Sequence, residues 1–167
     1  MATSRVGVYP GTFNPFTLGH LAVAKAALDQ RGLDRVHLAV SRVPLAKTGL
    51  VLPTFEHRVE ALKLVAQDHD WLDVVVTDAQ LLVDISVGYN LLIMGADKWH
   101  QIHEVRFYDD DPNQRDAAIA ALPQVALAPR PPLEIPDHLD LEIAEEFADV
   151  SSTAVRNGRH DWMHPAI

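Results

Sequence analysis

The sequence predicts an α/β fold with a doubly wound, five-stranded and mostly parallel sheet. The first observation is that five apolar runs of strand length recur along the 167 residues, with helical stretches between them. The second is that these runs do not alternate with polar residues, as in Leu38-Ala39-Val40, which is typical of strands covered on both faces. Repeated strand–helix–strand units favour right-handed crossovers and a ligand site at the carboxyl ends of the strands.

Each predicted element rests on a local pattern. The strands are expected at residues 5–9, 36–40, 72–76, 90–94 and 124–128. A helix over residues 21–30 ends at the stop signal Arg31-Gly32, and Thr54 can cap a second helix that runs through Phe55 and Val65. Residues 108–113 are predicted to form a charged loop and residues 128–132 a rigid, extended one. Neither is typical of a domain boundary, so we expect a single domain over residues 1–167.

The composition indicates an ordinary globular chain, with 48% hydrophobic and 22% charged residues. No apolar run reaches the roughly 18 residues of a membrane span, and the first five residues do not resemble a secretion signal. We therefore expect a cytoplasmic protein without a membrane partner. The absence of cysteine excludes disulfides, thiolate catalysis and cysteine-type zinc sites.

Charge is distributed unevenly along the chain. The net charge of −9 disfavours a nucleic-acid partner, which requires a basic face. Residues 1–63 hold 8 basic and 4 acidic residues, a net of +4, whereas residues 64–167 hold 6 and 19, a net of −13. The N-terminal third would attract a small anion, although solvated surface charge explains the same distribution equally well.

Residues 10–20 read Pro-Gly-Thr-Phe-Asn-Pro-Phe-Thr-Leu-Gly-His and join the first strand to the first helix. Unpaired N–H groups and the positive end of a helix dipole meet at such a junction, and the dipole alone stabilises an anion by about 0.3–1 kcal/mol. Gly11 allows a tight turn and a close approach to a ligand. Thr17 and His20 are three residues apart, so both can project onto one phosphate region. The string predicts a phosphate site in which His20 donates to a phosphate oxygen.

A second candidate lies at residues 150–158, Val-Ser-Ser-Thr-Ala-Val-Arg-Asn-Gly. Ser151 or Ser152 can cap a short helix that Gly158 ends. One interpretation is simply a capped helix. The other is a second anion site, in which hydroxyl and N–H groups at the helix start act together with the permanent cation Arg156.

Together the two strings resemble the nucleotidyltransferase superfamily that has the (H/T)xGH signature and an ISSTxxR-like second motif. The chain is similar, from Val6 into the segment at 158–165, to the small bacterial adenylyltransferases that act on nicotinate mononucleotide or phosphopantetheine. The resemblance implies a Rossmann-like nucleotidyltransferase fold. It also implies that a phosphate oxygen of the acceptor attacks the α-phosphorus of ATP and that pyrophosphate leaves.

The resemblance further implies the roles of individual residues. The expected catalytic residues are His20, Thr17 and Arg156. The expected ATP site comprises Gly11, Thr12, Phe13, Gly19, His20, Gly95, Ser151, Ser152, Thr153 and Arg156. The expected acceptor site comprises Thr12, Asn14, Lys47, Asp97 and Trp99. Since an ionised phosphate is already a nucleophile, these residues would position two anions and stabilise developing charge, without a general base.

Partners and cofactors follow from the same resemblance. ATP would bring Mg²⁺, which phosphate and water would largely hold. No resident metal site is expected, because His100, His103 and Glu104 share a helical spacing without a further obvious ligand. The expected partners are ATP and a small phosphorylated acceptor. The sequence does not decide whether the chain forms a homo-oligomer.

Different motifs indicate different acceptors. Thr17 and the loop that carries Lys47 resemble the phosphopantetheine enzymes. Those enzymes have an Arg-Gly-x-Arg pattern where this chain has Met94 and Asp97, whereas Gly-Ala-Asp followed by tryptophan resembles the nicotinate enzymes. We therefore expect nicotinate or nicotinamide mononucleotide first and phosphopantetheine second. A nucleotide-binding protein of the same fold without turnover is the third interpretation, since residues 80–90 are shorter than in the nicotinate enzymes.

Overall fold

The computed structural model describes residues 4–42 and 54–167. Its strands are β1 (Val6–Pro10), β2 (Arg35–Ser41), β3 (Leu72–Thr77), β4 (Leu91–Gly95) and β5 (Gln124–Ala128). They form one sheet in the order β3-β2-β1-β4-β5, and every strand pair between them is parallel. The predicted doubly wound sheet is therefore confirmed. Each predicted strand overlaps an observed one, with ends that differ by at most one residue.

The helices connect these strands as expected. They are α1 (Leu18–Gln30), α2 (Phe55–Gln67), α3 (Leu82–Ile85), α4 (Ala96–Gln101), α5 (Pro112–Ala120) and α6 (Ser152–Arg156). Short 3₁₀ turns occupy Val105–Tyr108, Asp137–Leu139, Glu145–Phe147 and His160–Trp162. No helix in the described part of the chain is long and apolar enough to cross a membrane.

Two predicted boundaries were wrong because a capping side chain was not recognised. Helix α1 begins at Leu18 instead of residue 21, since Thr17 supplies an N-terminal cap. The loop predicted at 108–113 is shorter than expected: a 3₁₀ turn extends to Tyr108, and the Asp111 side chain caps α5, which begins at Pro112. Thr54 caps α2 as predicted, with its hydroxyl accepting from the His57 N–H.

The sheet is buried on both faces, which explains why its strands are uniformly apolar. Alternate residues of β4 enter two different clusters. Leu91 and Ile93 pack with Val36 on one face, whereas Leu92 and Met94 pack with Val8 on the other. All of these residues are at most 2% exposed.

Strand β1 lies at the centre of the sheet, between β2 and β4. The chain leaves β1 toward β2, and the later strands β4 and β5 are added on its opposite side. A crevice opens at such a reversal of strand order, outside the carboxyl ends of the strands. The first motif directly follows β1, and Gly95 ends β4, so the fold brings both to this crevice.

The segment at 163–166, here called the tail clasp, packs against the loop after β1. Met163 forms an antiparallel bridge with Thr17, and the His164 N–H donates to the Phe16 carbonyl at 3.2 Å. The buried His164 ring accepts at Nδ1 from the Ala166 N–H at 3.0 Å, so its Nε2 carries the proton in the neutral form. That Nε2 lies 3.0 Å from Nε2 of His69, at the turn after α2. The tail clasp therefore requires His164 to be neutral.

We expect the tail clasp to make stability depend on pH. Burial lowers the pKa of His164 from its ordinary value of 6.5; a charge on His69 lowers it further, and Asp68 raises it. Below about pH 6.5, His164 is protonated in the unfolded chain and stays neutral in the folded one. The free energy of unfolding therefore falls as the pH is lowered. Urea denaturation should show a loss of stability between pH 7.5 and 5.5.

The variant H164N tests this origin, because its amide oxygen can replace Nδ1 as the acceptor. We expect H164N to be less stable than the natural chain at pH 7.5 and to lose less stability on acidification. If H164N loses as much stability between pH 7.5 and 5.5 as the natural chain does, the assignment to His164 is contradicted.

Candidate active site

The turn after β1 is shaped by contacts that only glycine permits. The Gly11 N–H donates to the Ala39 carbonyl at 3.1 Å, which continues the sheet for one residue. A Cβ at Gly11 would lie 2.8 Å from the Phe13 ring. Phe13 itself has a positive φ of 51° and is 5% exposed. Gly11 and Phe13 therefore form a compact turn, in which the Phe13 ring covers the backbone of Gly11.

His20 is fixed at the start of α1 by a reciprocal cap. The Thr17 hydroxyl accepts from the His20 N–H at 3.2 Å, while the Thr17 N–H donates to His20 Nδ1 at 2.9 Å. Because a backbone N–H can only donate, Nδ1 is an acceptor and the proton of the neutral ring lies on Nε2. Nε2 makes no hydrogen bond with any described residue. His20 thus offers one oriented N–H donor.

Three aromatic rings surround His20. Phe13 and Phe16 have ring centroids 5.1 Å and 5.4 Å from that of His20, and Tyr9 lies at 6.2 Å. The imidazole is partly exposed, yet its apolar surroundings lower its pKa from 6.5 to about 4. The ring is therefore neutral at physiological pH. Apolar contacts also raise the pKa of Tyr9 above its ordinary value.

The structure places the Thr17 hydroxyl in the cap of α1, whereas the sequence predicts that it projects onto a phosphate. Thr17 is 1% exposed, and its hydroxyl is part of the cap that holds His20. The structure therefore makes Thr17 a positioning residue that acts through His20.

The second motif binds the backbone of the first. The Ser152 hydroxyl donates to the Pro15 carbonyl at 2.8 Å, and Arg156 Nη1 donates to the Asn14 carbonyl at 2.5 Å. Ser151 caps α6 by accepting from the Ala154 N–H at 3.0 Å. The two strings are thus brought together, as predicted, although they lie more than 130 residues apart in sequence.

These contacts change the expected roles in the second motif. The Ser152 hydroxyl donates its proton to Pro15, whereas the Ser151 hydroxyl accepts in the cap and can still donate its own proton. Arg156 is exposed and bonds both Asn14 and, at 3.2 Å, the Thr153 hydroxyl. Thr153 is itself exposed beside this guanidinium. Arg156 and Thr153 therefore present a charge and a hydroxyl at the surface of the crevice.

Gly19 and Asn14 are packing positions in the first motif. A Cβ at Gly19 would lie 3.2 Å from the Val150 side chain, so the absence of a side chain lets α1 approach the second motif. Asn14 was expected to contact the acceptor. It is 8% exposed, and its carbonyl accepts from Arg156. Asn14 thus supports the loop from within.

The carboxyl end of β4 supplies the expected acceptor residues. Gly95 ends the strand beside open space, because a Cβ there would meet nothing within 4 Å. Asp97 follows with a side chain that is 63% exposed, and its carboxylate lies 3.8 Å from Arg130 Nε. Arg130 was missed by the sequence analysis, although it comes two residues after β5, at the same edge of the sheet.

Trp99 packs partly into the protein. Its side chain contacts the cluster that contains Met94 and Ile102, and its ring meets that of His103 edge-on at 4.9 Å. This environment favours a packing role over stacking on a substrate ring. The remaining acceptor residue, Lys47, lies outside the described residues.

The described residues contain no group of three or more histidine, aspartate or glutamate side chains that could hold a metal ion.

Comparison with known proteins identifies the family. Residues 8–158 match the model of the cytidylyltransferase-like family, and this range covers both motifs and all of the sheet except the first two residues of β1. The chain belongs to this family.

Curated relatives carry names of two kinds. A probable nicotinate-nucleotide adenylyltransferase of Coprothermobacter proteolyticus is 28% identical over 120 residues, which cover 65% of this chain and 62% of that protein. A second probable nicotinate-nucleotide adenylyltransferase, from Solibacter usitatus, is 26% identical over 98% of this chain and 94% of its own length. A phosphopantetheine adenylyltransferase of Mycoplasma capricolum is 28% identical over 65% of this chain and 79% of its own length. The match to the Coprothermobacter protein therefore spans less than two thirds of that relative.

A solved structure agrees with the fold. It is the Plasmodium falciparum nicotinic acid mononucleotide adenylyltransferase complexed with NaAD, which superposes with a TM-score of 0.58 at 13% identity. The superposition covers 98% of this chain and 92% of that one. At this identity it supports the fold of the chain.

The state of His20 can be measured directly. We expect its imidazole to stay neutral, with the proton on Nε2, until the pH approaches 4, because its apolar surroundings lower the pKa to about 4. Two-dimensional ¹H–¹⁵N NMR of the histidine rings, titrated from pH 8 to 3.5, would report both tautomer and pKa. The variant H20N identifies the His20 signal by its loss. A His20 pKa near 6.5 would contradict the effect of the apolar surroundings, and a proton on Nδ1 in the neutral ring would contradict the cap.

Proposed function

We propose that this protein transfers the adenylyl group of MgATP to the phosphate of nicotinate or nicotinamide mononucleotide and releases pyrophosphate. The observation that carries the proposal is the joining of the two motifs around one loop. His20 presents its Nε2–H from α1, and Arg156 presents its charge from α6, while both are anchored to residues 14–17. The names of the Coprothermobacter and Solibacter relatives support the same activity.

The proposed reaction is a direct displacement. An oxygen of the acceptor phosphate attacks the α-phosphorus of ATP, the bond from that phosphorus to the bridging oxygen breaks, and the electron pair leaves with pyrophosphate. No proton has to be removed from the ionised acceptor phosphate. The chain's own residues therefore contribute alignment and charge stabilisation.

His20 suits the stabilisation of the transferring phosphate. Its ring is oriented by Thr17 before any ligand binds, so a hydrogen bond from Nε2 requires no rearrangement of the imidazole. Bound phosphate would raise the pKa of His20 above its value in the free protein. The Thr17 N–H keeps Nδ1 as an acceptor, so the ring donates from Nε2 in its neutral form. Arg156, which is bonded to the Asn14 carbonyl of the same loop, would supply a permanent charge to the leaving phosphates.

The acceptor is inferred from the end of β4. Met94 is 2% exposed within the core, and Asp97 carries a negative charge, so neither side chain can bind a phosphate. An exposed carboxylate suits hydrogen bonds to ribose hydroxyls or a ring amide. These two residues favour a nicotinate or nicotinamide nucleotide.

Phosphopantetheine is the second candidate acceptor. Thr17 in the first motif resembles the phosphopantetheine enzymes, and the Mycoplasma capricolum relative carries that name. The two candidates share the same reaction at the α-phosphorus and differ only in the acceptor.

A coupled assay of pyrophosphate release separates the candidates. ATP and Mg²⁺ should be supplied with nicotinate mononucleotide, nicotinamide mononucleotide or 4′-phosphopantetheine in parallel, together with a direct measurement of ATP binding. We expect turnover with a pyridine mononucleotide and little with phosphopantetheine. Silence with all three acceptors despite ATP binding would refute the proposed enzyme and leave a nucleotide-binding protein.

The variant H20A tests the catalytic role of His20. We expect kcat to fall by about 10²-fold or more, the range observed when one preorganised donor to a transition state is removed. His138→Ala is the matched control, because this exposed histidine lies by the amino ends of β4 and β5, at the opposite edge of the sheet. Near-normal turnover by folded H20A would exclude the role.

A further inference from the structure

Arg58 of α2 is a buried cation beside the loop after β1. It is 7% exposed, and charged side chains are rarely buried to this extent. Its Nη1 donates to the Thr12 carbonyl at 3.1 Å. The guanidinium therefore touches the turn that the first motif forms, although the sequence analysis did not select it.

The charge of Arg58 has no counter-charge in the protein. No carboxylate of the described residues lies within ion-pair distance of it, and the undescribed segments 1–3 and 43–53 contain neither aspartate nor glutamate. Glu56, two residues earlier on α2, is exposed and acts on Arg58 only at longer range. The Phe55 ring, whose centroid lies 5.6 Å from the guanidinium carbon, offers a weaker interaction.

Part of the hydrogen-bonding capacity of Arg58 is also unused. Its Nε is fully buried and makes no hydrogen bond with the described residues. Burial lowers the pKa of Arg58 below its ordinary value, while Glu56 opposes this shift. Buried charges in proteins are normally paired, and an uncompensated one destabilises the fold. Groups perturbed in this way cluster at functional sites.

We propose that the counter-charge of Arg58 is a substrate phosphate bound at the turn of residues 11–13. This inference rests on the proposed function, under which the anion is the phosphate of the acceptor, since Thr12 is expected in both the ATP site and the acceptor site. Arg58 acts in two ways: its Nη1 fixes the Thr12 carbonyl, and its charge stabilises the anion that the turn receives. It is a positioning residue, which reaches the substrate through the turn.

Two variants separate these actions. R58Q removes the charge and keeps an amide donor for the Thr12 carbonyl, whereas R58M removes both. The matched control is Lys63→Met, which removes one positive charge from the solvent face of the same helix, where Lys63 is paired with Glu60. Each of the three variants lacks one positive charge, so all three have the same net charge and attract anions non-specifically to the same extent.

The first measurement uses inorganic phosphate and does not depend on the acceptor. The melting temperature of the natural chain and of K63M should rise with phosphate concentration, and that of R58Q and R58M should rise much less. In phosphate-free buffer R58Q should be at least as stable as the natural chain, because an uncompensated buried charge is lost. If R58Q is destabilised and keeps the full phosphate response, Arg58 is a structural residue and the proposal is overturned.

The second measurement is kinetic and rests on the proposed function. For R58Q, KM for the acceptor should rise by about tenfold or more, the effect of losing one charged interaction, while KM for ATP changes less than about twofold. Equal changes in both KM values, or none in either, would overturn the assignment to the acceptor phosphate. If no acceptor is turned over, the phosphate response still tests Arg58, so the two proposals fail separately. Should R58M not fold, R58Q decides the question alone.

Discussion

The site depends on one constraint: the carbonyl groups of the loop after β1 must be bonded from outside the loop. Thr12 accepts from Arg58 of α2, Asn14 from Arg156 of α6, Pro15 from Ser152, and Phe16 from the backbone of the tail clasp. These donors come from three separate parts of the chain. Because the carbonyl oxygens are satisfied by cationic and hydroxyl donors, their partial negative charge is offset and repels an approaching anion less.

The same loop contains several residues in conformations or environments that are unfavourable for their residue type. Phe13 adopts a positive φ, His20 is kept neutral among aromatic rings, and Arg58 retains a buried charge. None of these would be selected for stability alone, since each opposes an ordinary preference of its residue type. The well-packed sheet beneath the loop supplies the stability that allows them.

Much of the fold could be predicted from the sequence because strands buried on both faces leave an uninterrupted apolar pattern. The start of α1 could not, since Thr17 serves as a cap only when His20 folds back onto it. The two motifs could be found by their resemblance, yet the partners of their side chains required the structure. Thr17 and Ser152 have residue types that suit a phosphate, and only the fold shows that their hydroxyls are bonded within the protein. Arg58 lies beside Val59 on α2, and no local pattern reveals that its side chain reaches residue 12.

The contact between Arg156 and Asn14 has a consequence for the order in which the protein is made. Asn14 is synthesised 142 residues before its partner Arg156. The tail clasp, which closes on Phe16 and Thr17, is translated later still. A nascent chain can therefore complete the sheet order β3-β2-β1-β4-β5 while the loop is still open. The contacts that hold the loop therefore form only after the sheet that supports it has been synthesised.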